Sequence, residues 1–403
     1  MFRTPARCRG LWWAGALALS VFVSSNAAQA TSFKTVHTFT GGSDGAQPYA
    51  GLVADTSGNF YGTTFLGGNG GSTCFSPKKG CGTVFKLASD GTETVLHAFA
   101  GGSDGFYPVA GLLLDNAGNL YGTTLGGGVG NGEPCGQFGC GIVFKLAPDG
   151  SETILHSFGS GSDGYSPWGA LIADAAGNLF GTTQFGGAHN HGTVFEVTPD
   201  GTETVLYSFT GGSDGNLPHA GLVADSAGNL YGTTEGGGAN GDGTVFKLAP
   251  DGAETVLHSF MGGSDGQAPV AEMIKDEAGN LYGTTYEGAG CCSGTAFKLA
   301  PDGTKTLLLA FGGSEGYEPV APLLRDAAGN FYSITASGGT YGFGTVFKLK
   351  SNGVVNVLHA FRGRLDGGEP LAGLAADAAG NLYGTTQKRW RHGRRGTVFR
   401  IKP

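Results

Sequence analysis

The sequence predicts an all-β fold, a seven-bladed β-propeller with four antiparallel strands per blade. Three observations predict it. One seven-residue phrase recurs seven times: GNLYGTT at Gly118, Gly228, Gly279 and Gly380, GNFYGTT at Gly58, GNLFGTT at Gly177 and GNFYSIT at Gly329. The spacing is 50 or 51 residues in the later units and about 60 in the first two, a period at which strand-rich repeats build propeller blades. Finally, the repeats open on a fourth-strand run and close on a third-strand run, which lets the two ends complete one blade.

The elements follow in chain order. Residues 1–30 read as a secretory signal: Arg3, Arg7 and Arg9 precede the apolar run LWWAGALALSVFV, and Ala28-Gln29-Ala30 is a small-residue cleavage site. That run is too short to span a bilayer, and Cys8 lies on the wrong side of it for a lipid acceptor. Residues 31–403 are expected to form one domain, the propeller, secreted or periplasmic and monomeric. The leader carries three arginines and no acids, so the formal charge of −8 becomes −11 on its removal. A mildly acidic chain of that kind has no overall attraction for nucleic acid, and no membrane insertion is expected after cleavage.

Each repeat supplies four strand candidates, of the types PxAGLVAD, NLYGTT, GTVFKL and ETVLHSF. Asp-x-x-Gly-Asn joins the first two as a hairpin, because Asp accepts from nearby backbone N–H groups while Gly and Asn tolerate positive φ. Pro-Asp-Gly joins the last two. Glycine, 78 residues in all, interrupts every helical period. FKTVHTF (Phe33–Phe39) is of the fourth type and GTVFRI (Gly396–Ile401) of the third, so the N-terminal strand should complete the last blade and hide two sheet edges. A β-solenoid is the alternative, but it would want polar capping repeats that the sequence lacks. On this reading GNLYGTT is structural, with its Tyr or Phe packing between blades.

GNLYGTT, the glycine-rich loop after it, GTVFKL and the PDGTETVLHSF tail together resemble the tandem repeat of the GloVer (Gloeobacter–Verrucomicrobia) proteins, known as choice-of-anchor tandem repeat proteins. The resemblance covers essentially all of 33–403. It implies an exported repeat protein and no particular activity. Family members often carry a C-terminal sorting segment; this sequence ends two residues after its last predicted strand.

Function is sought where the repeats bring polar groups together. The fourth-to-first and second-to-third connections should emerge on one face, which gathers the GGSDG loops and the variable loops there. Asp44, Asp104, Asp163, Asp214, Asp265, Glu315 and Asp366 then form a ring. It would attract cations or sugar hydroxyls, or each acid simply caps its own turn, the reading preferred here. One carboxylate per loop falls short of the six to eight oxygens of a Ca²⁺ site. His37, His97, His156, His258 and His359 share one column with Tyr207 and Leu309, which suits edge packing and not a metal site; His189 and His191 sit in a solvated loop. No metal and no cofactor are expected, since no phosphate-binding loop, nucleophile elbow or zinc-hydrolase motif is present. Trp168, with Phe106, Tyr107, Tyr165 and Tyr317, offers sugar-stacking surfaces. The expectation is a binding or scaffolding module for carbohydrate or a cell-surface component. A polysaccharide-acting hydrolase or lyase on the variable-loop face is the alternative.

Six cysteines follow the leader. Cys74 with Cys81 and Cys135 with Cys140 look like one staple applied to two adjacent loops, although four cysteines permit three connectivities. Cys291 and Cys292 are adjacent, so a bridge between them would be strained, yet an oxidising compartment favours that bridge over two free thiols. The last variable loop gathers Lys388, Arg389, Arg391, Arg394 and Arg395 around Trp390, a candidate patch for acidic polysaccharide or another anionic envelope component.

Overall fold

The computed structural model describes residues 31–68, 74, 79–129, 135, 138–159, 161–290, 293–388 and 395–403. They form seven four-stranded antiparallel sheets arranged as the blades of a propeller. Blade 1 shows the pattern, with strands Val53–Ala54, Phe60–Thr64, Thr83–Leu87 and Glu93–Ala98 from the axis outward. Blade 7 is built from Ala375–Ala376, Leu382–Thr386 and Thr397–Lys402, and Ser32–Thr38 pairs with the last of these as its outer strand. The ring thus closes by the three-plus-one arrangement, and the two ends of the repeat array are hydrogen-bonded to each other.

Local chemistry explains the blade. In the first hairpin the Asp55 carboxylate accepts from the N–H groups of Ser57 and Asn59, at 2.9 and 2.8 Å, and from the Asn59 amide at 2.7 Å. The Tyr61 hydroxyl reaches the same carboxylate at 3.0 Å, so this tyrosine locks its hairpin as well as packing between blades. The glycine of GTT leaves room for the third-strand phenylalanine: a Cβ on Gly62 would lie 2.9 Å from the Phe85 ring and 2.8 Å from Leu52. A bulge between Val84 and Phe85 bends the outer strand away, and it recurs in the other blades.

Blades meet through repeated contacts. The phenylalanine that follows each outer strand lies edge-on to the third-strand phenylalanine of the next blade. The pairs Phe39–Phe85, Phe209–Phe246 and Phe361–Phe399 have centroids 5.2, 5.1 and 5.2 Å apart, all with fully buried rings. Nearer the axis, the residue before each proline is left-handed: Gln47, Tyr107, Ser166, Leu217, Ala268, Glu318 and Glu369 have φ between 51° and 62°. Such a conformation costs about 1–3 kcal/mol. It is held from both sides, as at Tyr107, whose N–H donates to Cys81 O in the preceding blade while its carbonyl accepts from Leu125.

Candidate functional site

The seven inner segments follow those prolines, and their side chains are where the blades stop being equivalent. The position after proline carries Tyr49, Val109, Trp168, His219, Val270, Val320 and Leu371; two residues on stand Gly51, Gly111, Ala170, Gly221, Glu272, Pro322 and Gly373. Trp168 of blade 3 stacks on His219 of blade 4, with centroids 4.6 Å apart and planes 26° from parallel. His219 also hydrogen-bonds to the backbone of Val270 in blade 5, and burial lowers its pKa to about 4, so the imidazole is neutral at neutral pH. Glu272 enters beside the same segments, its Oε2 lying 3.2 Å from where a Cβ on Gly221 would be. Burial alone pushes this carboxyl up to about 7. Ser166 O accepts from Gln184 N–H, just past the second strand, which sets this cluster at the variable-loop end of the axis. An aromatic face, a neutral imidazole and a carboxyl titrating near neutrality therefore converge from three adjacent blades.

A second set of polar groups lies at the outer junctions between blades. The loop aspartates cap their turns: Thr40, Ala100, Gly159, Thr210, Met261 and Arg362 each donate a backbone N–H to the acid four residues on. Each aspartate also faces the residue seven positions earlier on the outer strand. His97–Asp104, His156–Asp163, His258–Asp265 and His359–Asp366 approach to 3.2, 3.1, 3.0 and 3.1 Å, and the Tyr207 hydroxyl donates to Asp214 at 3.0 Å. The column read from sequence as edge packing is thus set against the loop acids at every junction except that of Leu309. A third residue, from the start of the next blade's outer strand, completes the niche. Glu152 beside Asp104 is pushed well above the usual carboxylate range, first by burial and then by that carboxylate. Glu203 beside Asp163 is raised to about 7 for the same two reasons.

The structure separates the aromatics that the sequence grouped. Trp168 is at the axis. Phe106 is 5% exposed and packs with Cys74 and Cys81 in the core, so it is no ligand platform; its backbone pairs with Gly126, which turns the ring inward. Tyr165 stacks on Phe185 of its own blade at 5.3 Å, Tyr107 on Phe65 at 4.3 Å, and Tyr317 lies over Gly338. Asp104, Asp163, Asp214 and Asp265 belong to the junctions and not to the axis. The bridges Cys74–Cys81 and Cys135–Cys140 are formed, with Cα separations of 5.5 and 5.2 Å. Of the basic loop, Lys388 pairs with Glu369 and the Arg395 side chain lies over Gly41. Arg389, Trp390, Arg391 and Arg394, like Cys291, Cys292 and the signal segment, lie outside the described residues. Among the described residues no helix is long and apolar enough to cross a membrane. Sequence reasoning missed His219 and Glu272. Their signal was available as departures from the repeat, Glu272 standing in a column of glycine, alanine and proline.

The profile of the Gloeobacter/Verrucomicrobia repeat matches residues 20–236, 71–295 and 221–403. No curated protein matches the sequence. Among solved structures, the extracellular domain of the putative hybrid two-component system BT4673 from B. thetaiotaomicron superposes with a TM-score of 0.57 at 14% identity, over 93% of this chain and 42% of that one. The present chain thus spans about two fifths of the length of that extracellular domain. A putative 6-phosphogluconolactonase from Bacteroides uniformis gives a TM-score of 0.49 at 17% identity, over 77% and 84% of the two chains. A gluconolactonase from Xanthomonas campestris gives 0.41 at 15%, over 64% and 78%. At these identities the likeness is one of fold.

Proposed function

Because the chain belongs to the Gloeobacter/Verrucomicrobia repeat family, whose members are exported, we propose that it engages carbohydrate outside the cytoplasm, at the variable-loop end of its axis. One observation carries this reading: the Trp168–His219 stack beside Glu272, on three consecutive blades of an otherwise repetitive ring. An aromatic face accepts the apolar side of a sugar ring, while a neutral imidazole and a carboxyl bond its hydroxyls. The other blades put aliphatic side chains or Tyr49 at the first of these positions, so the site is local and single. A glycan array tests it, repeated with Trp168→Ala and Glu272→Gln. Binding of one glycan class that both substitutions abolish supports the site. Binding that survives both places the ligand elsewhere.

The alternative, a carbohydrate-acting enzyme at the same mouth, is favoured by Glu272 specifically. Repeated acids in matched surroundings are poor material for acid–base chemistry, but a lone carboxyl raised to about 7 is protonated in part at neutral pH and can donate to a departing oxygen. Turnover of a bound polysaccharide that falls at least 100-fold in Glu272→Gln, with binding retained, selects this reading over simple recognition.

A further inference from the structure

The seven outer junctions form a natural substitution series on one geometry. In chain order their three positions hold His37, Asp44, Glu93; His97, Asp104, Glu152; His156, Asp163, Glu203; Tyr207, Asp214, Glu254; His258, Asp265, Lys305; Leu309, Glu315, Val355; and, across the ring closure, His359, Asp366, Phe33. In the second and third sets one nitrogen and two carboxylate oxygens converge so that all ligand-type atoms lie within 4.8 Å of one another. His97 Nε2 stands 3.2 Å from Asp104 and 3.8 Å from Glu152. The Glu152 and Glu203 Oε1 atoms are buried without a hydrogen-bond partner. The third set opens onto a depression of about 480 Å³ lined also by Ser162, Val205 and Ser208, with room for further ligands such as water.

Two carboxylates and an imidazole in a half-buried niche require positive charge, supplied by protons or by a cation. The fifth junction shows which the space admits. There the glutamate position is Lys305, whose ammonium sits 2.7 Å from the Asp265 carboxylate and also donates to the Asp265 carbonyl. The fold places a cation of its own where the first four junctions place a second anion. A further difference marks the two converged sets. Four residues before the aspartate stand Ala100 and Gly159, whereas Thr40 and Thr210 in the first and fourth sets cap the acid with a hydroxyl at 2.5 and 2.6 Å. In the first set His37 also stands back at 3.8 Å. The second and third junctions thus keep an aspartate oxygen that no hydroxyl claims.

We propose that His97–Asp104–Glu152 and His156–Asp163–Glu203 are two divalent metal sites, each clamping one blade to the next. One imidazole nitrogen with two carboxylate oxygens suits zinc, manganese or cobalt, whereas calcium prefers an all-oxygen shell of six to eight. The histidine comes from one blade, the glutamate from its neighbour and the aspartate from the loop between them, so a bound ion ties blade 1 to blade 2 and blade 2 to blade 3. Blades 1 and 2 also carry the disulfides Cys74–Cys81 and Cys135–Cys140, in the loops that lead into their third strands.

The test uses the full exported chain, free of affinity tags and stripped of metal by chelation, with Co²⁺ as a visible-absorbing probe and Zn²⁺ in calorimetry. Two equivalents should bind; Glu152→Gln and Glu203→Gln should each remove one, and the double variant both. Lys305→Glu should add a third, because His258 and Asp265 are already in place and Met261 brings no competing hydroxyl. No uptake, or a stoichiometry unchanged in the glutamine variants, overturns the assignment and leaves the acids sharing a proton. Since glutamine preserves shape, circular dichroism of each variant confirms that a lost equivalent is a lost ligand. An unaltered stoichiometry in Lys305→Glu would equally refute the geometry argued here.

Discussion

Two glycines of one loop provide a sharp test of how the blades are held together. Gly241 and Gly243 both have positive φ, +84° and +97°. At Gly241 an added Cβ meets nothing within 4 Å. At Gly243 it would lie 2.7 Å from Pro269 Cδ in the next blade and 2.9 Å from Glu235 O, with Thr234 O closer still. These are a proline ring and two backbone carbonyls, so no flexible side-chain end can swing aside. Gly241→Ala should cost only the left-handed conformation, about 1 kcal/mol once the stiffer unfolded chain is counted. Gly243→Ala adds an overpacking term of about 1–3 kcal/mol at the blade junction, for a total of about 2–4 kcal/mol. Urea denaturation followed by tryptophan fluorescence and far-ultraviolet circular dichroism reads both. The same contact recurs from Gly82 to Pro108 at 2.6 Å and from Gly344 to Pro370 at 2.8 Å, so Gly344→Ala should behave like Gly243→Ala. Equal losses at 241 and 243, within about 0.5 kcal/mol, would falsify the claim that the proline–glycine contact sets the blade spacing.

Further outcomes follow from the same geometry. Phe246→Ala removes a fully buried ring that meets Phe209 across a junction; a loss of about 3–5 kcal/mol is expected from the midpoint of chemical unfolding. Replacing both Cys74 and Cys81 by serine opens a loop with a sequence separation of only 7, so the loss should not exceed about 2–3 kcal/mol, with faster proteolysis confined to that loop. Glu272 gives a pH dependence. Its carboxyl is raised from 4.5 to about 7 in the folded chain, so its contribution is fully present below pH 4.5 and is lost as pH rises through 7. The ceiling is about 3 kcal/mol. Unfolding curves at pH 5 and pH 8.5 should converge in Glu272→Gln relative to the parent, and an unchanged difference would mean that burial does not destabilise this carboxylate.

The architecture was legible because its causes are local and repeated. Asp55 with Asn59, or the glycine of GTT opposite Phe85, are turn and packing rules visible within one unit, and seven copies remove ambiguity. Strand types at Phe33 and Gly396 were enough to foresee ring closure, since both are copies of strands seen elsewhere. Side-chain destinations were less legible. Phe106 and Tyr107 are adjacent aromatics, but the left-handed Tyr107 and the Gly126 pairing send Phe106 into the core. The junction triads combine residues such as His97 and Glu152 that are far apart in sequence and lie on different blades. They meet only where neighbouring blades pack side by side, a contact made between repeats and not within one. Treating the histidine column as one edge-packing position repeated around the ring hid the change of its third residue from glutamate to Lys305, Val355 and Phe33.

The sixth set of the series, Leu309 with Glu315 and Val355, argues that the junction ion pairs are not there to close the ring. It lacks the imidazole and the second acid, and no ion pair or side-chain hydrogen bond joins these three among the described residues. Nevertheless Phe311 meets Phe347 with centroids 5.2 Å apart, the same separation as at the junctions that carry histidine. Gly294 meets Pro319 there just as Gly82 meets Pro108. Closure therefore rests on the aromatic pairs, the proline–glycine contacts and the left-handed stitches, which every blade retains. Half-buried acids beside one another cost stability unless something offsets their charge. The second and third junctions keep two acids despite a workable apolar alternative in the same molecule, a cost that the proposed cation would offset, and the axial Glu272 poses the same question at the centre of the ring.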